Sequence, residues 1–325
     1  MPSEHRGRWA GIALVLLSAA AFGSGSLFAQ PVYGAGVDWL VLSSWRFAFG
    51  ASLAWVWLLA LPERRLGLRA MDRRGVAVGL GLGVLYVGNS GTYYAGLETV
   101  SPSLAALIVY IYPAVVAVLT LRVGRRLEGR RAWGALGIAL VGVVLAIGGI
   151  EANAMPPISG LLLVLVSPLI YSVWIVLAAK LSGERREMVG QANDAGATAA
   201  TATALMMTAT AAVYWGWALV GGRPVLPAEI PSAAWGGLVG VGVVSTFIAI
   251  QTFYAGTRRI GAAQAALIST VEPFYTITLA ALLFGIALTP VQLLGGVLII
   301  VGVVIAQTGP GAAARPMPEV RVADE

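Results

Sequence analysis

The chain has 325 residues, of which 58% are apolar and 11% charged, against roughly 25% charged residues in an ordinary soluble domain. So little charge cannot clothe a soluble core in polar surface, which excludes a water-soluble fold and makes lipid the solvent for most of the chain. The absence of cysteine removes disulfides, thiolate catalysis and cysteine-ligated metal clusters, and the net charge of +6 lies in short clusters between apolar runs, a matter of topology rather than of a nucleic-acid-binding face.

A hydrocarbon core about 30 Å thick takes roughly 20 apolar residues per helix, and ten apolar runs meet that requirement, eight uncharged and two carrying a single charge, Arg46 and Glu272. In chain order they are Trp9 to Phe28, Trp39 to Leu61, Gly75 to Ala95, Pro102 to Leu121 and Ala132 to Gly149, then Ser159 to Ala179, Ala195 to Val220, Trp235 to Ala255, Ala262 to Phe284 and Val291 to Ala306. The predicted fold is an all-α polytopic membrane protein of ten transmembrane helices. The first run follows His5, Arg6 and Arg8 as a signal peptide would, but only further spans come after it, so it reads as a retained helix. Residues 1–8 form a short tail, and residues 309–325, rich in Pro, Ala and charge, read as a disordered tail.

Short basic loops stay in the cytoplasm. With the N-terminus placed inside, nineteen of the 21 basic residues fall on inside segments, among them Arg64, Arg65, Arg69, Arg73, Arg74, Arg125 and Arg131. Arg223 alone falls outside and Arg46 within a span. Both termini are therefore expected in the cytoplasm, with the protein in the inner (plasma) membrane.

A repeat is visible at a constant offset of 160: Tyr94-Ala-Gly, Ala105 to Ile108 (AALI) and Pro113 recur as Tyr254-Ala-Gly, Ala265 to Ile268 and Pro273. Gly11, Val15, Leu16 and Ser18 parallel Gly160, Val164, Leu165 and Ser167 at an offset of 149. Each unit holds an odd number of spans, so the second must enter the membrane inverted, the architecture that lets one central site face either side in turn.

These motifs carry a resemblance. The GIALVLLSAAAFGS stretch from Gly11, the WRFAFGA stretch around Arg46, YYAGLETVSPSLAALI and the long tract from Tyr254 to Gly285 are similar to the drug/metabolite transporter superfamily, EamA type, over nearly the whole chain. The resemblance implies two five-helix EamA repeats, 9–150 and 159–306, forming a secondary transporter that exports small organic solutes, with bacterial amino-acid and metabolite exporters, including aromatic amino-acid exporters, as the nearest group. It implies no cofactor and no enzymatic activity; a small-molecule solute and the bilayer are the expected partners, with protons as a candidate coupling ion and a monomer as the simplest assembly. The family's Glu after the helix-nine LLxG is here Ile286, and Arg125 holds the corresponding place in the first half, so no role of that Glu transfers. A multidrug or other metabolite carrier of the same superfamily, and a pore or scramblase, are the alternatives. An intramembrane protease is disfavoured: the one histidine, His5, is in the tail, and no aspartate lies near the centre of a span.

A charge at the centre of a lipid-facing helix costs about 2.5 to 3.5 kcal/mol on insertion scales, so Glu272 and Arg46 are the sharpest local signals. Glu272 lies near mid-span beside Pro273 and is a candidate proton or ammonium partner, against the alternative of a packing Glu bonded to a neighbour. For Arg46 the candidates are snorkelling to headgroups, pairing with Glu272 or meeting a solute carboxylate; with the resemblance in view, a structural or gating pairing is favoured. Tyr86, Asn89 and Tyr93 recur at helical spacing and share a face. Together with Tyr110, Tyr112, Tyr171, Trp174, Ser245, Thr246 and Gln251 they are candidates to line a chamber, against ordinary helix packing. Pro113 and Pro273 are the candidate hinge pair, with Pro168 a further candidate kink. Trp9, Trp39, Trp133 and Trp235, at span ends, are expected interfacial anchors. No metal site is expected.

Overall fold

In hydrocarbon a backbone N–H or C=O has no water to bond, so apolar runs cross only as helices or as a closed barrel. Long uninterrupted tracts of Ala, Leu, Val and Gly without period-two alternation decide for helices. The computed structural model describes residues 2–121, 129–149, 155–181 and 192–307, and among them every regular element is helical. In order these are α1 Pro2–Gly34, α2 Trp39–Ala60, α3 Pro62–Ala70, α4 Arg73–Leu97, α5 Pro102–Val109, α6 Tyr112–Leu121 and α7 Gly129–Gly148. There follow α8 Ile158–Leu181, α9 Ala192–Val220, α10 Trp235–Val239, a π-helical segment Gly240–Ile248 continuing into α11 Ala249–Ile260, α12 Ala262–Ser269, α13 Val271–Phe284 and α14 Pro290–Gln307. The tail 309–325 and Arg125 lie outside the described residues.

Five stretches are long and apolar enough to cross a bilayer: Gly7–Gly34, Pro102–Leu119, Ile158–Ala178, Ala200–Val220 and Ser232–Thr257. α2 qualifies together with α3, and Trp133–Ile147, Val271–Phe284 and Pro290–Ile305 are shorter apolar helices. The chain is a multi-pass membrane protein.

Sequence punctuation sets the helix ends. Asp38 accepts from the Val41 N–H at 2.9 Å and Asp72 from the Gly75 N–H at 2.7 Å, each placing a carboxylate at the positive end of a helix. Gly285 closes α13 with φ +66°, a left-handed cap that strains any residue with a Cβ. Two readings need correction. The basic linker after α2 is not a plain loop but contains α3; Arg64 Nη1 donates to Trp57 O at 2.9 Å and Arg65 Nε to Leu59 O at 2.9 Å, so these cations satisfy carbonyls that α2 leaves open at its end. The fourth and ninth runs are not continuous helices: one breaks at Tyr110 and Ile111, the other at Thr270. Of the four tryptophans, Trp9 and Trp133 are 68% and 60% exposed. Trp39 and Trp235 instead join an aromatic cluster, Trp39 edge-on to Trp217 at 5.4 Å and Trp235 to Trp45 at 4.9 Å.

The sequence repeat reappears in the contacts. Ser18 Oγ on α1 donates to Ala249 O on α11 at 2.7 Å, and the repeat-related pair does the same: Ser167 Oγ on α8 donates to Asn89 O on α4 at 3.2 Å. A Cβ on Gly256 would strike Val15, and one on Gly96 would strike Val164, again the same pair under the same offsets. Partner helices run antiparallel in both seams. α2 against α9 does likewise, with Trp215 Nε1 donating to Ser44 O and Trp55 Nε1 to Thr208 Oγ1, and so does α7 against α14. A helix that lies antiparallel on its own repeat counterpart belongs to a half of opposite direction, so the repeat is inverted.

Lipid tails are as apolar as leucine, so the seams are held by close backbone approach rather than by burial from water. A Cβ on Gly142 of α7 would stand 2.6 Å from Gly295 O of α14, and one on Gly302 would stand 2.6 Å from Ala135 O.

One large core cluster joins both halves, running from Val37 and Leu40 through Phe47, Tyr110 and Tyr214 to Ala139, Ile299 and Val303 on α7 and α14. Two small clusters lie apart from it: Ala51, Ala54, Leu58, Ala204 and Met207 on α2 and α9, and Ala117 with Ala135 on α6 and α7. Near Asp38, Glu98 accepts from the Trp39 N–H at 2.7 Å and Asp38 pairs with Arg223 at 3.1 Å; an exposed ion pair contributes about 0–1 kcal/mol, so this end is held chiefly by apolar contacts.

Gly142→Leu should overpack the α7 and α14 seam and destabilise the protein by about 1–3 kcal/mol, read as a lower thermal unfolding midpoint in detergent. Gly137→Ala on the same helix, where a Cβ meets nothing within 4 Å, should be neutral or stabilising. Equal effects of the two would refute the seam.

Candidate solute-binding site

Pro113 and Pro273 cannot donate to the carbonyl four residues earlier, which leaves Val109 and Ser269 without their usual helical partners. The chain breaks there, α5 ending at Val109 and α12 at Ser269. A bare carbonyl away from water is costly unless another donor reaches it. The hydroxyl of Tyr110, from the first break, donates to the Ser269 carbonyl at the second. The two broken helices are tied to each other where they break. Pro168, by contrast, lies inside an unbroken α8.

Each break starts a new helix. α6 begins at Tyr112 and α13 at Val271, so Tyr112 and Glu272, counterparts in the repeat, both occupy a first helical turn. Open N–H groups there favour a carboxylate at Glu272. Its backbone is fixed by Thr276, whose Oγ1 lies 3.1 Å from Glu272 O and 3.0 Å from Gly23 O on α1. The Glu272 side chain is half-buried and makes no hydrogen bond or ion pair with any described residue. Around it, within electrostatic reach, stand Tyr93, Tyr94, Tyr110, Tyr112 and Tyr171.

The aromatic residues form a continuous wall. Tyr110 meets Tyr112 at 5.9 Å between ring centroids, Tyr112 meets Tyr171 at 4.9 Å, and Tyr171 stacks on Trp174 at 5.9 Å. Tyr86 closes on Trp174 at 5.4 Å and on Phe47 at 6.0 Å, and Phe47 stacks on Tyr214 at 5.6 Å. Edge-on and offset geometries are those in which ring quadrupoles attract. The Trp174 Nε1 donates to Leu82 O at 2.9 Å, locking the wall to α4.

Arg46 is 7% exposed, which rules out snorkelling in this structure, and no ion pair joins it to Glu272. Its Nε donates to Thr246 Oγ1 at 2.8 Å, while that hydroxyl donates to Val241 O, five residues back, at 2.9 Å. The π-helical segment makes that backward reach natural. The guanidinium carbon lies 4.9 Å from the Phe47 ring centre and 4.6 Å from that of Tyr94. Ser245, beside Thr246, is 2% exposed and its Oγ has no partner. Both Tyr93 and Tyr94 lie within electrostatic reach of Arg46 and of Glu272.

The structure thus gathers Glu272, Tyr86, Tyr93, Tyr110, Tyr112, Tyr171, Trp174, Ser245 and Arg46 about one interior region. Asn89 Oδ1 accepts from Ser167 Oγ at 2.9 Å, which joins α4 to α8, and Gln251 lies half-buried on α11. Sequence reading missed Phe47 and Tyr94 as site residues. Tyr94 was visible only as a repeat marker, and Phe47 as the neighbour of Arg46. Among the described residues no group of three or more His, Asp or Glu is placed to hold a metal ion.

Comparison with known proteins bears on what such a site serves. The model of the EamA-like transporter family matches residues 9–148 and again 158–308. The chain belongs to the EamA-like transporter family. An uncharacterized transporter of Archaeoglobus fulgidus is 26% identical over 296 residues, covering 91% of this chain and 96% of that protein. The uncharacterized transporter YcbK of Bacillus subtilis is 27% identical over 297 residues, covering 90% and 91%. A crystal structure superposes with a TM-score of 0.61 at 20% identity, over 92% of this chain and 96% of that one, which supports the fold.

Tyr110→Phe should cost about 1–3 kcal/mol, because the Ser269 carbonyl loses its donor. In a Pro273→Ala background, where a backbone N–H is restored, the same change should cost less than about 0.5 kcal/mol. A double-mutant cycle on thermal unfolding measures the difference; equal costs in the two backgrounds would show that the hydroxyl does not serve that carbonyl.

Proposed function

We propose that this EamA-like transporter is an alternating-access carrier of ten spans with both termini cytoplasmic. It moves small organic solutes outward across the inner membrane, with amino acids, aromatic ones foremost, as the best-fitting class. The observation that carries the reading is Glu272, a half-buried carboxylate with no protein partner among the described residues, in the first turn of a half-helix and faced by a wall of tyrosines with Trp174. A carboxylate in that setting binds an ammonium group, and the wall offers flat apolar faces with hydroxyl edges to a ring. Proton and ammonium compete for the same carboxylate, which links transport to pH.

Counterflow of labelled tryptophan and phenylalanine into proteoliposomes tests this reading: saturable exchange is expected, whereas conductance without saturation would establish a pore. Glu272→Gln should lower the exchange rate about ten- to a hundredfold, the loss of one charge-assisted hydrogen bond, and leave the residual rate insensitive to pH. A variant that keeps the wild-type pH response would remove Glu272 from the proton-linked step.

A further inference from the structure

Arg46 is the one cation buried within the described interior, and it is only partly provided for. The Nε is held by Thr246, and two ring faces, Phe47 and Tyr94, lie against the guanidinium plane. The two terminal nitrogens make no hydrogen bond to any described residue, and no carboxylate lies within 4 Å. Ring faces attract a cation but do not replace the hydrogen bonds its N–H groups lose on leaving water. A guanidinium anchored through Nε presents its outer edge as a pair of parallel donors, the fork that matches a carboxylate or phosphate.

A second group points to the same place. Ser245 is 2% exposed, its hydroxyl has no partner, and it sits one residue before Thr246 on the π-helical segment. Gly25 on α1 faces this spot: a Cβ there would stand 2.9 Å from the Tyr94 hydroxyl and 3.3 Å from Ser245 Cβ. The bare glycine keeps the space in front of both hydroxyls clear. A buried serine that could have bonded its own helix and does not is a donor held for something else.

We infer that Arg46, Ser245 and the Tyr94 hydroxyl form a carboxylate subsite, distinct from Glu272, with which Arg46 makes no ion pair. The inference rests on the interior region being where the solute binds, and it deepens that reading: the solute carries an acid group as well as an amine. Glu272 takes the ammonium, the aromatic wall takes the ring, and the subsite takes the carboxylate, so a zwitterion is accommodated with every charge answered. An amine without the acid leaves Arg46 unanswered and is selected against. The subsite makes Arg46 a specificity determinant rather than a structural tie.

The test compares tryptophan, tryptamine, which lacks the carboxylate, and indole-3-propionate, which lacks the amine. Two readouts are used: counterflow in proteoliposomes, and the rise in thermal unfolding midpoint of the purified protein on adding each compound. Tryptophan should outrun tryptamine by about tenfold or more, the value of a charge-assisted hydrogen-bond pair. Arg46→Gln should reduce the ratio of tryptophan to tryptamine exchange at least about tenfold, and Ser245→Ala about threefold, the value of one neutral hydrogen bond. Indole-3-propionate should stabilise the wild type and not Arg46→Gln. If Arg46→Gln does not fold, the decision passes to Ser245→Ala, whose alanine fits the space the serine already fills. An unchanged ratio in Ser245→Ala together with no stabilisation by indole-3-propionate overturns the subsite. If none of the three compounds is exchanged, the transport reading fails for this class, and the stabilisation by indole-3-propionate and its reduction in Ser245→Ala still decide the subsite.

Discussion

A backbone carbonyl without a donor is tolerable at a protein surface, where water supplies one, and intolerable in hydrocarbon. Everything at the centre of this molecule follows from how two such carbonyls are handled. Pro113 and Pro273 free them at equivalent places in the two halves, and the chain answers by ending one helix and starting another. It then donates Tyr110 across the interface to Ser269. The break is therefore a joint, bonded between halves, and it exposes fresh helix starts to the interior. Tyr112 and Glu272 occupy those starts, so the paired breaks and the position of the interior carboxyl arise from the same lost hydrogen bonds.

The scaffold and the site obey different symmetries. Seam contacts repeat faithfully: Ser18 with Ala249 and Ser167 with Asn89, Gly256 on Val15 and Gly96 on Val164. Site residues do not. The counterpart of Glu272 is Tyr112, and the counterpart of the half-exposed Tyr254 is the buried Tyr94 lying on Arg46. On the proposed reading, symmetric seams would give the two halves matched mechanics and the asymmetric interior would give the solute one orientation. Had Arg46 and Glu272 paired directly, the interior would neutralise itself and offer a solute little beyond apolar contact. No ion pair joins them among the described residues.

What could be read from the sequence was whatever depends on composition or on a constant offset. The helical membrane fold followed from uncharged runs, the inversion from an odd number of spans per repeat, and the aromatic wall from tyrosines at mid-span. Four features stayed hidden because tertiary partners create them. The prolines were visible, but where each helix breaks depends on which donor reaches the freed carbonyl. The π-helical segment has no signature of its own; it lies where Gly240 and Gly242 let Phe28 and Phe49 approach, with Cβ clearances of 2.6 and 2.7 Å. Asn89 shares a helical face with Tyr86 and Tyr93, yet its amide was already committed to Ser167. α3 was concealed because an arginine cluster reads as topology, although two of those arginines close the end of α2.

The inverted repeat bounds what the proposed alternating access would ask of this scaffold. Interdigitated packing is bistable rather than continuously deformable, so on that reading the halves would exchange roles rather than bend. The glycine seam of α7 and α14 pairs repeat counterparts and would map onto itself in such an exchange. The aromatic contacts of Trp39 with Trp217 and of Trp45 with Trp215 and Trp235 join elements of both halves and would have to open. On the proposed reading, a ligand bridging α2, α4, the π-helical segment and α13 would draw elements of both halves together.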